Sequence, residues 1–279
     1  MASEAPQNQI LLSAHFSVRY GGKPPVLRDV RIEIERGEVL GLVGQSGSGK
    51  STLAMSVLGL LDKKHSRTEG SIRFQDSDLL QLSERELRGL RGRAVALVLQ
   101  SPLSSLNPAL KIRTQLREAW RAHASGTKTD SGNAIRASLQ SVSLPADDDF
   151  LRKYPSQMSV GQAQRVLIAM AVMHRPALLI ADEATSALDV ITQSEILSLF
   201  RQLNRSTGMA ILYISHDLAS VAGICDRIAI LHQGEIVECG VTAKIFANPQ
   251  HEYTQRLMAA MPRVLPATAQ PQTKTATAR

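Results

Sequence analysis

Cysteine is almost missing from this chain. The two present in 279 residues, Cys225 and Cys239, have no metal-ligand spacing, so they read as buried or idle thiols, with a disulfide the weaker alternative. No window approaches the roughly 18 consecutive apolar residues of a membrane-spanning helix, and residues 1–9 lack the basic-then-apolar layout of a secretory leader. The expectation is a cytosolic protein. Acidic charge is in deficit, 25 Asp and Glu against 32 Lys and Arg, for a net charge of +7. That excess does not form a nucleic-acid or lipid patch in the sequence: Arg85, Arg88, Arg91 and Arg93 are interleaved with Glu84 and Glu86, the pattern of a solvated helical face. With 43% apolar residues the chain can bury one substantial core and a smaller attached subdomain.

What is present is concentrated at Gly44, Gln45, Ser46, Gly47, Ser48, Gly49, Lys50 and Ser51, with Thr52 after them and the apolar run Val39 to Val43 before. A strand turning into a helix through three glycines lets successive N–H groups point inward, and the helix start adds its positive dipole end. This is a phosphate cradle: Lys50 is placed to reach β- and γ-phosphates, and the Ser51 hydroxyl to ligate the accompanying Mg²⁺.

Upstream, Ile10, Leu12, Ala14, Phe16, Val18 and Tyr20 alternate with other residues, as do Val30, Ile32 and Ile34, predicting antiparallel strands. Tyr20 ends the first of them and offers an aromatic face to a nucleotide base, with Phe16 the alternative and core packing the competing role. A short strand is expected over 71–75, and Ser83 with Glu86 forms a capping box. The apolar run 93–99 ends in Gln100, followed at once by Ser101-Pro102, so the Gln100 amide lies at a strand's carboxyl end, where open α/β sheets bind ligands. Helices without strands follow over 110–150, around a polar loop at 125–133. The small-residue turn 156–162 (Ser156 to Gln162, through Ser159, Val160 and Gly161) opens an amphipathic helix over 163–173, with Ser159 and the Gly161 backbone a second helix-start anion site. Ala177 to Ala181 reads as a central parallel strand ending in Asp182-Glu183. An Asp at that tip is placed to hold Mg²⁺, and the Glu to take a proton from an attacking water. Another buried run, 210–214, ends in Ser215-His216, bringing the histidine to the same sheet edge. A hairpin over 227–239 turns at Gln233-Gly234, a helix runs to about Met261, and the Ala/Thr/Gln/Pro-rich tail reads as disordered.

Read in this order, the chain resembles an ATP-binding cassette (ABC) transporter ATPase over nearly its whole length. The resemblance rests on an A-loop aromatic (Tyr20), Walker A (44–51), Q-loop (Gln100), signature (158–162), Walker B (178–182), Glu183, D-loop (186–189, ending in Asp189) and switch His216. Within the family, the segments 100–108 and Asn248-Pro249-Gln250-His251-Glu252-Tyr253-Thr254 look like those of importers for peptides, nickel and metal-chelating opines. The alternative, a soluble ABC-type ATPase of nucleic acid or ribosomes, is disfavoured by a single cassette and only 58 positions from Gln100 to Met158.

The resemblance implies an α/β fold: a P-loop NTPase core with a mainly parallel sheet, an N-terminal antiparallel β-subdomain and a helical insertion subdomain at about 101–157. The domain would span 10–262, between a flexible N-terminus (1–9) and a disordered tail (263–279). It implies ATP and Mg²⁺ as cofactors, with Ser51, Gln100 and Asp182 at the metal and Glu183, His216, Gln100 and Lys50 in catalysis. The implied partners are two membrane permeases, a second ABC ATPase stacked head to tail, and an extracytoplasmic solute-binding protein, with no nucleic acid, at the cytoplasmic face of the inner membrane. Ser159, Val160, Gly161 and Gln162 would then complete the partner ATPase's site. This chain departs from the family pattern in three places. Val160 replaces the first signature glycine, Met158 the leading leucine, and Ala184 a common proline. The cysteine cluster that some relatives carry near the C-terminus is absent.

Overall fold

The computed structural model describes residues 10–260, so the expected flexible N-terminus and disordered tail lie outside the described residues. The chain opens with β1 (Ile10–Tyr20), β2 (Leu27–Glu35) and β3 (Val39–Val43), then α1 (Lys50–Val57), β4 (Ser66–Phe74), β5 (Ser77–Asp78), α2 (Glu84–Leu90) and β6 (Val95–Val98). A strand-free stretch carries α3 (Pro102–Ser105), α4 (Ile112–Arg121), α5 (Lys128–Ser141), α6 (Asp148–Arg152), a 3₁₀ turn (Pro155–Gln157) and α7 (Val160–Val172). The last part runs β7 (Leu178–Asp182), α8 (Val190–Thr207), β8 (Ala210–Ser215), α9 (Leu218–Ile224), β9 (Arg227–His232), β10 (Glu235–Val241), α10 (Thr242–Ala247) and α11 (Glu252–Ala259).

Two sheets result, an antiparallel one ordered β2-β1-β4-β5 and a six-stranded one ordered β10-β9-β3-β8-β7-β6. In the larger sheet β9, β3, β8, β7 and β6 are parallel neighbours, and β10 pairs antiparallel at one edge. Both of its faces are buried, which explains its nearly unbroken apolar strands. Side chains alternate between two cores: Leu179, Ala181, Ile211 and Tyr213 face the helices, while Leu178, Ile180, Leu212 and Ile214 face α1 and the antiparallel sheet. Each fully buried Leu or Ile in these layers stabilises the fold by about 1.5–3 kcal/mol. Strand β1 buries Leu12, Ala14, Phe16 and Val18 and turns Ser13, His15, Ser17 and Arg19 outward, in register with Ile34, Ile32 and Val30 of β2.

The α/β class, the mainly parallel sheet, the antiparallel N-terminal sheet and the helical stretch between β6 and β7 are as expected. Several boundaries differ. The β4 strand begins at Ser66 rather than 71, because it pairs with β1 all the way to Tyr20. The loop expected over 125–133 is shorter: Thr127 accepts from the Asp130 N–H and the Asp130 carboxylate accepts from the Thr127 N–H, a capping box that starts α5 at Lys128. Helix α7 begins at Val160 rather than 163, capped by Ser159. The C-terminal helix is two helices, α10 and α11, with a turn through Pro249 between them. Arg91 is not on a solvated face. Its guanidinium turns inward to donate to the carbonyls of Leu58 and Gly59, closing the end of α1, and pairs with Glu84. Cys225 is buried, with its thiol pushed well up by desolvation, and Cys239 is exposed; both are free.

Candidate nucleotide site

The loop after β3 has the shape its glycines permit. Gly49 sits at φ 110, and a Cβ there would fall 2.6 Å from Leu27 Cδ2. At Gly44 a Cβ would lie 2.3 Å from the Leu231 carbonyl oxygen, so the loop starts tight against the end of β9. Lys50, the first residue of α1, is 6% exposed. Its Nζ donates to the carbonyls of Gly44 (2.8 Å) and Gln45 (3.0 Å) and lies 4.0 Å from Glu183 Oε1. Burial lowers its pKa; Glu183 and Asp182 pull the other way.

Asp182 ends β7, buried beside this ammonium. Desolvation raises its pKa, and Glu183 adds to the effect; the Ser51 hydroxyl, hydrogen-bonded to the carboxylate, and Lys50 oppose it. Its Oδ1 and the Ser48 hydroxyl are buried without a hydrogen-bond partner. An unpaired buried polar atom costs about 1–3 kcal/mol, so both of these atoms gain from a ligand that reaches them. The Asp182 carboxylate with the Ser51 hydroxyl beside it, both hard oxygens, fits a divalent cation carried by a phosphate chain.

Glu183 follows with φ 49, a left-handed conformation that costs a non-glycine residue about 1–3 kcal/mol and is held by its N–H donating to Ile214 O at 3.0 Å. His216, past the end of β8, places Nδ1 3.3 Å from Glu183 Oε1. Lys50, Ser51, Asp182, Glu183 and His216 are thereby one cluster, at the carboxyl ends of adjacent parallel strands.

The other predicted residues lie elsewhere. Gln100 is exposed past β6 and makes no hydrogen bond to this cluster. Tyr20 is half-buried at the end of β1, opposite Ser66, against the core shared with α1. Ser159 caps α7 in a box with Gln162 (3.1 and 3.2 Å), and its neighbour Val160 is 38% exposed. Position 160 is the first helical residue and has no positive φ, so glycine's dihedral freedom is not needed there. Gly161 abuts α8: a Cβ would lie 2.7 Å from Thr192 Cγ2, and Thr192 in turn is held by Asp189, the α8 cap.

Two features escaped the sequence reading. A buried hydroxyl chain, Thr185 to Tyr213 (2.9 Å), Tyr213 to Ser220 (3.2 Å) and Ser220 to Ser215 (3.3 Å), ties the turn after Glu183 to the turn holding His216. Tyr213 sits inside an apolar run that reads only as core. The second is Tyr253 of α11, whose hydroxyl accepts from the Gln45 N–H at 3.2 Å.

Known proteins resemble this chain over most of its length. The family profile described as "ABC transporter" matches residues 27–186, and that described as "Oligopeptide/dipeptide transporter, C-terminal region" matches residues 237–278. The chain is 40% identical over 246 residues to the dipeptide transport ATP-binding protein DppD of Bacillus subtilis, covering 88% of this chain and 73% of that protein. It is 42% identical over 250 residues to DppD of Haemophilus influenzae, covering 88% and 76%. Its identity to the oligopeptide transport ATP-binding protein OppD of B. subtilis is 38%, covering 87% and 68%. Among solved structures, the dimeric ATP-binding cassette MJ0796 in a post-hydrolysis state with ADP and Pi superposes with a TM-score of 0.71 at 26% identity, covering 84% of this chain and 98% of that one.

Proposed function

The chain belongs to the ABC transporter family and is an ATPase that energises transport, and from that premise we propose that it drives import of a peptide-class solute through a membrane permease pair. The relatives named above are dipeptide and oligopeptide transport proteins, which favours peptides over the nickel or opine chelates that the sequence segments also allow. The observation that carries the catalytic reading is the convergence of Lys50, Asp182, Glu183 and His216 on one loop.

In this reading Lys50 and the amides of the 44–52 loop, that of Gln45 excepted because it donates to Tyr253, bind the β- and γ-phosphates, with Tyr20 against the base; Phe16, the alternative, is fully buried in the core under β1 and cannot stack on a nucleotide. Ser51 and Asp182 would hold Mg²⁺, with Gln100 joining them from its exposed position past β6, and the ion would supply neutralisation of phosphate charge. Glu183 takes the proton of the attacking water, and His216, whose Nδ1 lies 3.3 Å from Glu183 Oε1, positions that water and the γ-phosphate. A second ABC ATPase, in a heterodimer or homodimer, presents its own signature to this loop, while Ser159, Val160, Gly161 and Gln162 serve the partner's. The exposure of Val190 (81%) and Ile191 (75%) directly after Asp189 supports a partner at that face. Leu99, Leu103 and Tyr154, exposed around the helical stretch, support a permease contact there, with Gln100 as the link to the nucleotide. The assembly would stand at the cytoplasmic face of the inner membrane with an extracytoplasmic solute-binding protein; no described helix is long and apolar enough to cross a membrane. Lys50→Ala tests the site: calorimetry should show Mg·ATP affinity lost, and retained affinity would overturn the assignment.

A further inference from the structure

The Asn248-to-Thr254 segment and the C-terminal elements that carry it have so far no part in the chemistry. Tyr253 is 8% exposed, with its ring stacked on His232 at a centroid distance of 3.8 Å and an interplanar angle of 20°. The stack fixes the ring between the end of β9 and α11. The turn ahead of α11 is fixed too: Glu238 of β10 accepts the N–H groups of Gln250 (3.0 Å) and His251 (3.1 Å), and His251 Nδ1 caps the Tyr253 N–H (3.1 Å). A phenol stacked on one face and carried by a fixed helix start presents its hydroxyl in one position, 3.2 Å from the N–H of Gln45.

The Gln45 N–H and the Gly44 carbonyl are two ends of one peptide unit. Lys50 holds its oxygen at 2.8 Å and Tyr253 holds its N–H at 3.2 Å. Phosphate oxygens compete for the Lys50 ammonium, so the oxygen end of that peptide loses its hold just when the loop must stay in shape. The Tyr253 contact does not compete with phosphate. From this juxtaposition we infer that Tyr253 is a positioning residue for the nucleotide loop, keeping the Gly44-Gln45 peptide oriented while Lys50 turns to the nucleotide. The C-terminal region thereby takes part in nucleotide affinity from outside the parallel-sheet motifs. A preorganised loop binds more tightly because less of it remains to be ordered on binding.

This inference rests on the reading of residues 44–52 as the nucleotide loop. The test is Tyr253→Phe in the full chain, which keeps the ring and its stack on His232 and removes only the hydroxyl. Mg·ATP affinity by calorimetry should fall about three- to tenfold, the worth of one hydrogen bond. In the assembled transporter KM for ATP should rise by a similar factor with kcat within about twofold of wild type, and the nucleotide-free unfolding midpoint should not move. A merely structural role would lower that midpoint and leave the affinity of the folded fraction unchanged, which would overturn the inference, as would an affinity within about twofold of wild type. Lys50→Ala separates the two readings: if it alone abolishes binding while Tyr253→Phe changes nothing, the loop assignment stands and the role of Tyr253 does not.

Discussion

Glu183 is the residue on which the hydrolysis reading turns. It carries backbone strain at φ 49, and its side chain lies between Lys50 and His216. Strained non-glycine residues persist where the surroundings over-determine them, and here the Ile214 carbonyl and the buried Thr185–Tyr213–Ser220–Ser215 hydroxyl chain do so. Glu183→Gln keeps size and hydrogen bonding but removes the proton acceptor. Turnover by the assembled complex should drop about 10²–10⁴-fold with ATP binding retained; near-normal hydrolysis would remove Glu183 from the role. Val160 is a different case at the same scale. As an exposed first helical residue it does not strain its own chain, so any effect it has must arise where the signature meets a partner's nucleotide.

Elements were legible in the sequence where one residue type had one meaning. Glycines with Lys50 and Ser51 after an apolar strand, and acids or a histidine at strand ends, gave the nucleotide loop and the sheet edge. Legibility failed for residues with two readings. Tyr213 counts as apolar in a strand window, yet its hydroxyl joins the turn after Glu183 to the turn holding His216. The contact of Tyr253 with Gln45 spans 208 positions, a distance no local pattern reports. The α5 start was missed because Asp130, not Glu, closes its capping box. The joint between α4, α7 and the turn before β6 shows a further element-level consequence. His123, just past α4, meets the His174 ring edge-on at 5.3 Å, and a Cβ on Gly92 would lie 2.8 Å from its Nε2. Burial, then His174, then Arg93 lower the His123 pKa. Because the folded state disfavours the charged ring, the stability this neutral histidine supports is present above the unfolded value of about 6.5 and lost as pH falls below it. Thermal midpoints at about pH 7.5 and 5.5 should therefore differ less in His123→Asn than in wild type, by a few degrees at most. An equal drop in both would show that the joint does not titrate.

For the whole molecule, the described fold joins three parts with distinct duties: an antiparallel sheet laid over α1, a parallel sheet whose carboxyl edge gathers the charged cluster, and a helical stretch carrying the exposed Leu103 and Tyr154. The C-terminal turn closes back on the nucleotide loop through Tyr253. The signature residues, by contrast, are hydrogen-bonded to no residue of the loop cluster, and in the proposed assembly they serve the second ATPase's loop instead. The central claim, that this ATPase drives peptide import, is tested most directly by transport in sealed vesicles. The chain would be assembled with its permeases and second ATPase, and uptake of a labelled short peptide from its solute-binding protein followed with ATP on the chain's side of the membrane. The account predicts uptake that requires ATP and is lost in both Lys50→Ala and Glu183→Gln complexes. Uptake undiminished by either substitution, or ATP hydrolysis without movement of any peptide, would contradict it.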